Sequence, residues 1–200
     1  QKGVKAFVVS KSEAVVLTHK NEDFKKLIFI GVRDTTKALG DMASFNRIRS
    51  KIHVTAITGS NGKTTTRKMT TAVVRRRFSA LSSRGNFNNQ IGLPLTLLNL
   101  SPEHRWAVLE MGANHPGEIA NLAGICRPDI GVITNITHEH LDYHGSFEAY
   151  RDAKAGMLTN LARTEPKEGG VPPLAVLNHD DPTYFDLSKV VTVRQVSYSL

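Results

Sequence analysis

The sequence predicts an α/β fold in which a mostly parallel sheet has flanking helices on both faces. From residue 52 onward, short apolar runs rich in β-branched residues alternate with segments of helical pattern, which is typical of a parallel sheet. A Gly-rich turn that ends in Gly-Lys-Thr lies between the first of these runs and a helical segment. Strand, turn and helix in this order indicate a short phosphate-binding loop.

The predicted elements divide the chain near residue 50. Before it, β-like runs at residues 4–9, 15–18 and 27–32 precede a helix with Asp34 as its N-cap, which runs to about residue 49 with apolar residues at helical spacing. After it, the predicted strands cover residues 54–58, 106–111, 130–136, 174–178 and 190–199. The predicted helices cover residues 65–78, 91–100, 116–125 and 146–162, and residues 164–173 form a loop with several Pro and Gly.

Composition narrows the classes of function. The chain has 200 residues, a single cysteine and a formal net charge of +8. No apolar run approaches the ~18 residues that span a membrane, so we expect no membrane insertion, and the lone cysteine suits a reducing cytoplasm. The basic residues are scattered, apart from Arg75, Arg76 and Arg77 near a predicted helix end. We therefore expect anionic small molecules, and no nucleic acid, as partners.

The phosphate-binding loop covers residues 58–66, Thr-Gly-Ser-Asn-Gly-Lys-Thr-Thr-Thr. Its glycines let backbone N–H groups converge on phosphate oxygens, and Lys63 can reach the β- and γ-phosphates while Thr64 binds Mg²⁺. Gly59 and Gly62 enclose two residues, whereas the general pattern has four before Gly-Lys, and an ordinary turn is the alternative. The residues that we expect to bind ATP are Gly59, Ser60, Asn61, Gly62, Lys63, Thr64 and Thr65.

Two further segments carry candidate metal ligands. Glu110 ends an apolar strand, where a carboxylate beside the loop can bind Mg²⁺, although a solvated glutamate at a strand end is an equal alternative. His138, His140 and His144 cluster among acidic residues, as in a metal site. Their spacing misses the His-x-His-x-Asp-His pattern of metallo-β-lactamase-type hydrolases by one residue. We expect His138 and His144 to be surface or loop residues.

Four segments together resemble the Mur ligases, the ATP-dependent enzymes that add amino acids to the peptidoglycan precursor. They are the loop with Ile57 before it, residues 85–94 (Gly-Asn-Phe-Asn-Asn-Gln-Ile-Gly-Leu-Pro), residues 108–112 (Val-Leu-Glu-Met-Gly), and residues 135–142 followed by Ala153 and Lys154. The resemblance implies that residues 51–200 form the ATP-binding central domain. It further implies that residues 1–50 end an N-terminal domain that binds the UDP-substrate, and that the C-terminal domain lies outside this sequence.

The resemblance also implies roles for individual residues. The implied catalytic residues are Lys63, His140 and Lys154. The implied Mg²⁺ ligands are Thr64 and Glu110 for one ion, and His140 with a carbamylated Lys154 for a second. The implied substrate-binding residues are Asn88 and Asn89. An exposed helical lysine and a Gly/Asn turn are the alternatives for Lys154 and for the two asparagines.

The implied activity is amide-bond formation through an acyl phosphate made from ATP. Residues 85–94 and 111–119 resemble the ligase that adds D-alanyl-D-alanine to UDP-N-acetylmuramoyl (UDP-MurNAc) tripeptide, whereas residues 140–145 resemble the ligase that adds the third residue. We give more weight to residues 85–94 and 111–119 than to residues 140–145. A folylpolyglutamate synthase-like ligase and a non-catalytic nucleotide-binding module are further alternatives. We expect a cytoplasmic monomer, and we expect the 200-residue chain alone to bind ATP weakly and to ligate nothing.

Overall fold

Two parallel sheets make up the framework of the chain. The computed structural model describes residues 3–20, 24, 26–137, 141–161, 163–164 and 172–199. The smaller sheet pairs β1 (Ala6–Ser10) with β2 (Ile28–Val32), and α1 (Lys11–Lys20) connects these two strands. Helix α2 (Thr35–Ser50) then leads into the larger sheet.

The larger sheet has six strands in the order β4-β5-β3-β6-β7-β8, and every pairing is parallel. Its strands are β3 (His53–Thr58), β4 (Ala80–Ser82), β5 (Trp106–Glu110), β6 (Ile130–Ile133), β7 (Leu174–Asn178) and β8 (Arg194–Tyr198). Its helices are α3 (Lys63–Val74), α4 (Gly92–Leu98), α5 (Glu118–Cys126), α6 (Leu141–His144), α7 (Phe147–Leu161) and α8 (Tyr184–Val190). The predicted α/β fold is confirmed. Because later strands add on both sides of β3, its carboxyl end is the point where such sheets bind ligands.

Helices cover both faces of the larger sheet. On one face, Val54 and Leu109 are fully buried among residues of α4, α5 and α7. On the other face, Ile57 and Val108 pack with Val74 of α3. Central strands that are covered on both faces are near-continuous apolar runs, which explains why they are recognisable in the sequence. None of the helices within the described ranges is long and apolar enough to cross a membrane.

The prediction of a strand at residues 15–18 is wrong, because these residues belong to α1. The Ser10 hydroxyl accepts a hydrogen bond from the N–H of Glu13 at 3.3 Å and donates to its carboxylate at 2.8 Å, and this reciprocal pair starts a helix. The β-branched Val15 and Val16 are exposed on that helix. The short elements β4, α6 and α8 are not among the predicted ones, since elements of this length carry little periodic signal.

Helix α2 is confirmed, with Asp34 as its N-cap. The Asp34 carboxylate accepts a hydrogen bond from the N–H of Lys37 at 2.9 Å. However, the larger apolar residues of the helix are exposed, and these are Met42, Phe45 and Ile48. The buried residues are instead Gly40, Ala43 and Arg47. The sequence pattern therefore identifies the helix but not the face that it packs against the larger sheet's helices.

Arg47 fastens α2 to the larger sheet. Its Nε donates to the carbonyl of Cys126 at 2.7 Å, and its Nη2 donates to the carbonyl of Arg127 at 3.0 Å. Nη2 also contacts Oδ2 of Asp129 at 3.4 Å, and the same Oδ2 accepts the N–H of Val54 at 2.7 Å. Burial lowers the pKa of Arg47, and burial raises the pKa of the Cys126 thiol to about 12. The guanidinium thus joins α2, the end of α5 and the start of β3.

Replacing Arg47 by methionine tests this junction. Removing one partner of a buried ion pair leaves the other charge uncompensated, so we expect the free energy of unfolding to fall by about 3–5 kcal/mol. Urea denaturation measures the change. The control is Lys37→Ala, which breaks an exposed ion pair with Asp41 and should cost at most about 1 kcal/mol. Equal losses in the two variants would contradict a special role for Arg47.

Candidate functional site

The phosphate-binding loop lies between β3 and α3, at the carboxyl end of the central strand. Helix α3 begins at Lys63, so the Gly-Lys-Thr sequence itself enters the helix, two residues earlier than the predicted start. Gly62 precedes the helix with φ 78°, a left-handed conformation that favours glycine. The first intrahelical bond runs from the N–H of Thr66 to the carbonyl of Gly62 at 2.9 Å. The backbone N–H groups before Thr66 have no helical partner and lie at the N-terminus of α3, which is where phosphate oxygens bind to helices.

The segment after β6 braces this loop. The N–H of Ser60 donates to the carbonyl of Asn135 at 2.9 Å, and the N–H of Asn61 donates to its Oδ1 at 2.8 Å. The Thr134 hydroxyl donates to the carbonyl of Asn61 at 2.7 Å. A Cβ on Gly59 would lie 2.1 Å from this hydroxyl oxygen, so only glycine fits there. Thr134 and Asn135 are supports that the sequence reasoning missed, because nothing local links them to the loop.

The side chains of Ser60 and Lys63 hold the loop from within. Ser60 is buried, and its hydroxyl lies 3.2 Å from the Tyr150 hydroxyl of α7 and accepts the N–H of Thr137 at 2.9 Å. The Lys63 ammonium donates to the carbonyl of Gly59 at 2.9 Å and also to that of Ser60. The ammonium group of Lys63 therefore lies against the backbone of the loop.

The carboxylate of Glu110 is the meeting point of three elements. Glu110 is 3% exposed at the end of β5. Its Oε2 accepts the Thr64 hydroxyl at 2.9 Å and Nε of Arg67 at 3.2 Å, while its Oε1 accepts Nδ2 of Asn88 at 3.0 Å. Thr64 and Glu110, the implied ligands of one Mg²⁺ ion, are therefore in direct contact. The equal alternative of a solvated glutamate is excluded by this burial.

Arg67 is a site residue that the sequence reasoning missed. Besides the Glu110 contact, its Nη1 donates to Oγ of Ser82 at 3.2 Å and to the carbonyl of Ser83. The Ser83 hydroxyl in turn accepts the N–H of Glu110 at 3.2 Å. A signal was available, since Arg67 follows Thr64 by three residues and lies on the same face of α3. Arg67 thus supplies a buried positive charge that keeps the Glu110 carboxylate oriented.

The two asparagines of the Gly-Asn-Phe-Asn-Asn segment make different contacts. Asn88 binds Glu110 through its side chain, and its carbonyl accepts the N–H of Gly112 at 2.8 Å. Oδ1 of Asn89 accepts the N–H groups of Ile91 at 3.1 Å and Gly92 at 2.9 Å, which starts α4. Asn88 therefore connects this segment to the candidate metal carboxylate, and Asn89 fixes where the next helix begins.

A cavity of about 480 Å³ opens beside the loop. The sequence-predicted residues that line it are Lys63, Asn88, Asn89 and Lys154. Lys154 is 2% exposed, and its ammonium lies 4.8 Å from the ring centre of Tyr150. The alternative of an exposed helical lysine is therefore wrong. The structure thus brings the predicted phosphate, substrate and carbamylation residues to one cavity.

The predicted histidines have different outcomes. His138 and His140 lie outside the described residues. His144 is 7% exposed and packs edge-on against Tyr150, with 5.1 Å between the ring centres. The prediction that His144 is a surface or loop residue is wrong, because α6 turns it inward against α7. Sequence spacing alone carried no information about this packing.

The residues present fit a Mg²⁺ ion. Within the part of the chain that the structure describes, no three His, Cys, Asp or Glu side chains converge in the manner of an all-protein metal cage. Mg²⁺ instead favours one or two carboxylates together with phosphate oxygens and water. A buried carboxylate in contact with the hydroxyl of Thr64, beside the phosphate loop, matches this preference.

Comparison with known proteins decides the family. Residues 57–200 match the family described as the Mur ligase middle domain. The chain belongs to the Mur ligase family. The matched region begins one residue before the end of β3 and so covers the phosphate loop, Glu110 and the cavity.

Curated Mur ligases and solved structures are similar to this chain. The UDP-N-acetylmuramoyl-tripeptide--D-alanyl-D-alanine ligase of Escherichia coli (strain K12) is 37% identical over 165 residues, covering 82% of this chain and 35% of that protein. The ligase of the same name from Bacillus subtilis (strain 168) is 42% identical, covering 70% and 30%. MurF from Acinetobacter baumannii has a TM-score of 0.80 at 28% identity, covering 99% of this chain and 46% of that one. The chain spans about a third of the length of these curated relatives.

Two solved structures represent the alternative ligases. A UDP-N-acetylmuramoyl-L-alanyl-D-glutamate--2,6-diaminopimelate ligase has a TM-score of 0.65 at 19% identity. Folylpolyglutamate synthase from Mycobacterium tuberculosis has a TM-score of 0.61 at 15% identity. Likeness at such low identity shows a common fold and nothing finer.

Replacing Gly59 by alanine tests the bracing of the loop. The added Cβ would collide with Thr134 at a backbone φ of +141°, so we expect weaker nucleotide binding and a loss of about 1–3 kcal/mol in stability. Binding of a fluorescent ATP analogue and urea denaturation measure the two effects. The matched control is Gly124→Ala in α5, where no atom lies near the added Cβ and a gain of about 0.5–1 kcal/mol is expected. Similar behaviour of both variants would refute the steric argument.

Replacing Glu110 by glutamine tests the candidate Mg²⁺ ligand. The change keeps the shape but removes the charge, so the Mg²⁺-dependent part of nucleotide binding should weaken about tenfold or more. Titrations of the fluorescent ATP analogue with Mg²⁺ and with EDTA separate that part. Glu103→Gln, at an exposed turn before β5, is the control and should bind as the wild type does. Unchanged Mg²⁺ dependence in Glu110→Gln would exclude Glu110 as a ligand.

Proposed function

We propose that the protein carrying this chain is an ATP-dependent ligase that joins D-alanyl-D-alanine to UDP-MurNAc-tripeptide. The observation that carries the proposal is the carboxylate of Glu110, on which Thr64 of the phosphate loop and Asn88 of the candidate acceptor loop converge. This contact supports a nucleotide site and an acceptor site that lie next to each other. The names of the curated relatives supply the substrates.

The proposed chemistry needs two steps, because a carboxylate is a poor electrophile. First, an oxygen of the acceptor's terminal carboxylate attacks the γ-phosphorus of ATP, the bond to the β-phosphate oxygen breaks, and ADP leaves. Second, the amino nitrogen of D-alanyl-D-alanine attacks the acyl carbon, phosphate departs with its bonding electrons, and the nitrogen loses a proton. Positioning and charge neutralisation dominate phosphoryl transfer, so the decisive groups are those that hold phosphate oxygens.

Residues around the cavity supply these groups. Lys63 and the N–H groups at the start of α3 would neutralise the phosphates. Thr64 and Glu110 would hold Mg²⁺, which offsets phosphate charge when bound. Arg67 and Asn88 would keep the Glu110 carboxylate in place, as their hydrogen bonds in the structure suggest.

A second Mg²⁺ site is proposed at Lys154 together with His140. Addition of CO₂ to the Lys154 amine, with loss of a proton, would give a carbamate whose oxygens can bind a metal. The burial of Lys154 on the wall that it shares with Lys63 supports this role. Asn88 and Asn89 are proposed to face the muramyl-peptide from the same cavity.

The alternatives differ in how well the chain supports them. The segment at residues 140–145 favours a third-residue ligase, but the curated relatives quoted above carry the D-alanyl-D-alanine name. A non-catalytic nucleotide module would have no need for Asn88 to contact the carboxylate beside the phosphate loop. We further propose that the protein acts as a monomer in the cytoplasm on small molecules, and that it does not bind nucleic acid.

The decisive experiment measures ADP release by the product of the gene that encodes this chain. One reaction contains UDP-MurNAc-tripeptide with D-alanyl-D-alanine, and the other contains UDP-MurNAc-dipeptide with meso-diaminopimelate or L-lysine. We expect turnover only with the tripeptide, and a loss of about a hundredfold or more in Lys63→Ala, because phosphate neutralisation is removed. Lys189→Ala, at an exposed lysine of α8, is the control.

Three results would contradict parts of the proposal. Turnover only with the dipeptide would reassign the protein as a third-residue ligase. If the protein binds nucleotide but releases no ADP with either substrate pair, the result would favour the non-catalytic module. Ligation by the isolated 200-residue chain, which we expect to bind ATP weakly and to be inactive, would show that this part of the family's length is sufficient.

A further inference from the structure

A second group of basic residues lies at the edge of the larger sheet, between α3 and the end of β4. It surrounds a surface cavity of about 490 Å³. The basic residues that line this cavity are Arg67, Lys68, Arg75 and Arg84. The other lining residues are small or carry hydroxyl groups, and none is a carboxylate. The cavity wall is therefore positive, with hydroxyl donors among the cations.

Two of these cations are already engaged, and two are available. Arg67 binds Glu110 and Ser83, and Arg75 donates from Nε and Nη2 to the carbonyl of Ala80 at 3.3 and 3.1 Å. The side chains of Lys68 and Arg84 are exposed. Neither of these two side chains makes a hydrogen bond or an ion pair with a residue that the structure describes. Both can therefore bind a ligand without losing an existing contact.

A neighbouring cavity extends this basic surface. It has a volume of about 460 Å³ and shares Arg75, Ser82 and Arg84 with the first cavity, and it adds His104. The two cavities lie on either side of Arg75 and Arg84, along the edge strand β4. We name these two cavities together the β4 groove.

We propose that the β4 groove binds a phosphate-class anion at a site separate from the phosphate loop. Guanidinium groups match phosphate oxygens through paired N–H donors, and the Ser82 hydroxyl can complete the coordination. Neither Lys63 nor Thr64 lines the groove. The ligand is either free inorganic phosphate or pyrophosphate, or the diphosphate of a nucleotide, because both present the same oxygens.

The two sites share one wall. Arg67 directs Nε to Glu110 and Nη1 to Ser82 and Ser83 at the groove. An anion in the groove would therefore lie behind the guanidinium that orients the candidate Mg²⁺ ligand. The groove can nevertheless be altered at Lys68 and Arg84, which contact neither Glu110 nor the loop.

Calorimetric titration with pyrophosphate at constant ionic strength tests the proposal. The Lys63→Ala variant weakens binding at the phosphate loop, and we expect it to retain a pyrophosphate site. Adding Lys68→Ala and Arg84→Ala to that variant should weaken this site about a hundredfold, since each of the two charged contacts contributes over 1.4 kcal/mol, which is about tenfold. Because Lys68 and Arg84 are exposed, we expect the variant to stay folded, and thermal melting followed by circular dichroism measures this.

The matched control is Arg76→Ala with Arg77→Ala in the same Lys63→Ala background. This control also removes two positive charges, but from exposed positions outside the groove. It should leave pyrophosphate binding unchanged. A second titration with UDP identifies the source of the phosphate. Binding of UDP at the groove at least about tenfold tighter than pyrophosphate supports a nucleotide ligand, and equal or weaker binding supports the free anion.

Two results would overturn the proposal. One is loss of all pyrophosphate binding in Lys63→Ala alone, which would leave the phosphate loop as the sole site. The other is equal weakening by the groove variant and by the Arg76 and Arg77 control, which would show a general effect of net charge. In either case the cations along β4 would serve to prevent edge-to-edge strand pairing. Neither result would affect the proposed ligase, which depends on the loop.

Discussion

The candidate site depends on one buried carboxylate. Glu110 accepts hydrogen bonds from Thr64 and Arg67 of α3 and from Asn88 of the segment before α4. Burying a charge is costly unless it is paired and hydrogen-bonded, so these donors must be held where they are. The strand β5 fixes the carboxylate, and the three donors then fix the helix and the Asn segment around it. Loss of the carboxylate would affect the candidate nucleotide and acceptor sites together.

The phosphate loop has a second support on the opposite side. Thr134 and Asn135 bond to the loop backbone, and the next residue, Ile136, donates its N–H to Asp181 at 2.8 Å. Asp181 also accepts the N–H of Thr183 at 2.9 Å, which ties the segment to the start of α8. The loop is therefore held by β6 and by the residues after β7. Substitutions in these later segments can therefore change the conformation of the loop, although the segments are distant from it in sequence.

The same principle governs the junction with α2. Arg47 places a buried cation on the carbonyls of Cys126 and Arg127, where the last turn of α5 leaves acceptors without helical partners. The exposed apolar residues of α2 contribute little to this junction. The hydrogen bonds of Arg47, together with the burial of the small residues Gly40 and Ala43, therefore fix α2 to the helices of the larger sheet.

The sequence by itself determined the parallel α/β sheet, the helix after Asp34 and the phosphate loop. These follow from local patterns, because buried parallel strands are continuous apolar runs and the loop lies between a strand and a helix. Only the tertiary structure decided which distant groups complete the site. Asn135 meets the loop, and Glu110 meets Thr64, because the carboxyl ends of parallel strands lie at one edge of the sheet. The face of α2 that packs is likewise defined only by the structure. Such contacts join residues far apart in the chain, so no local periodicity encodes them.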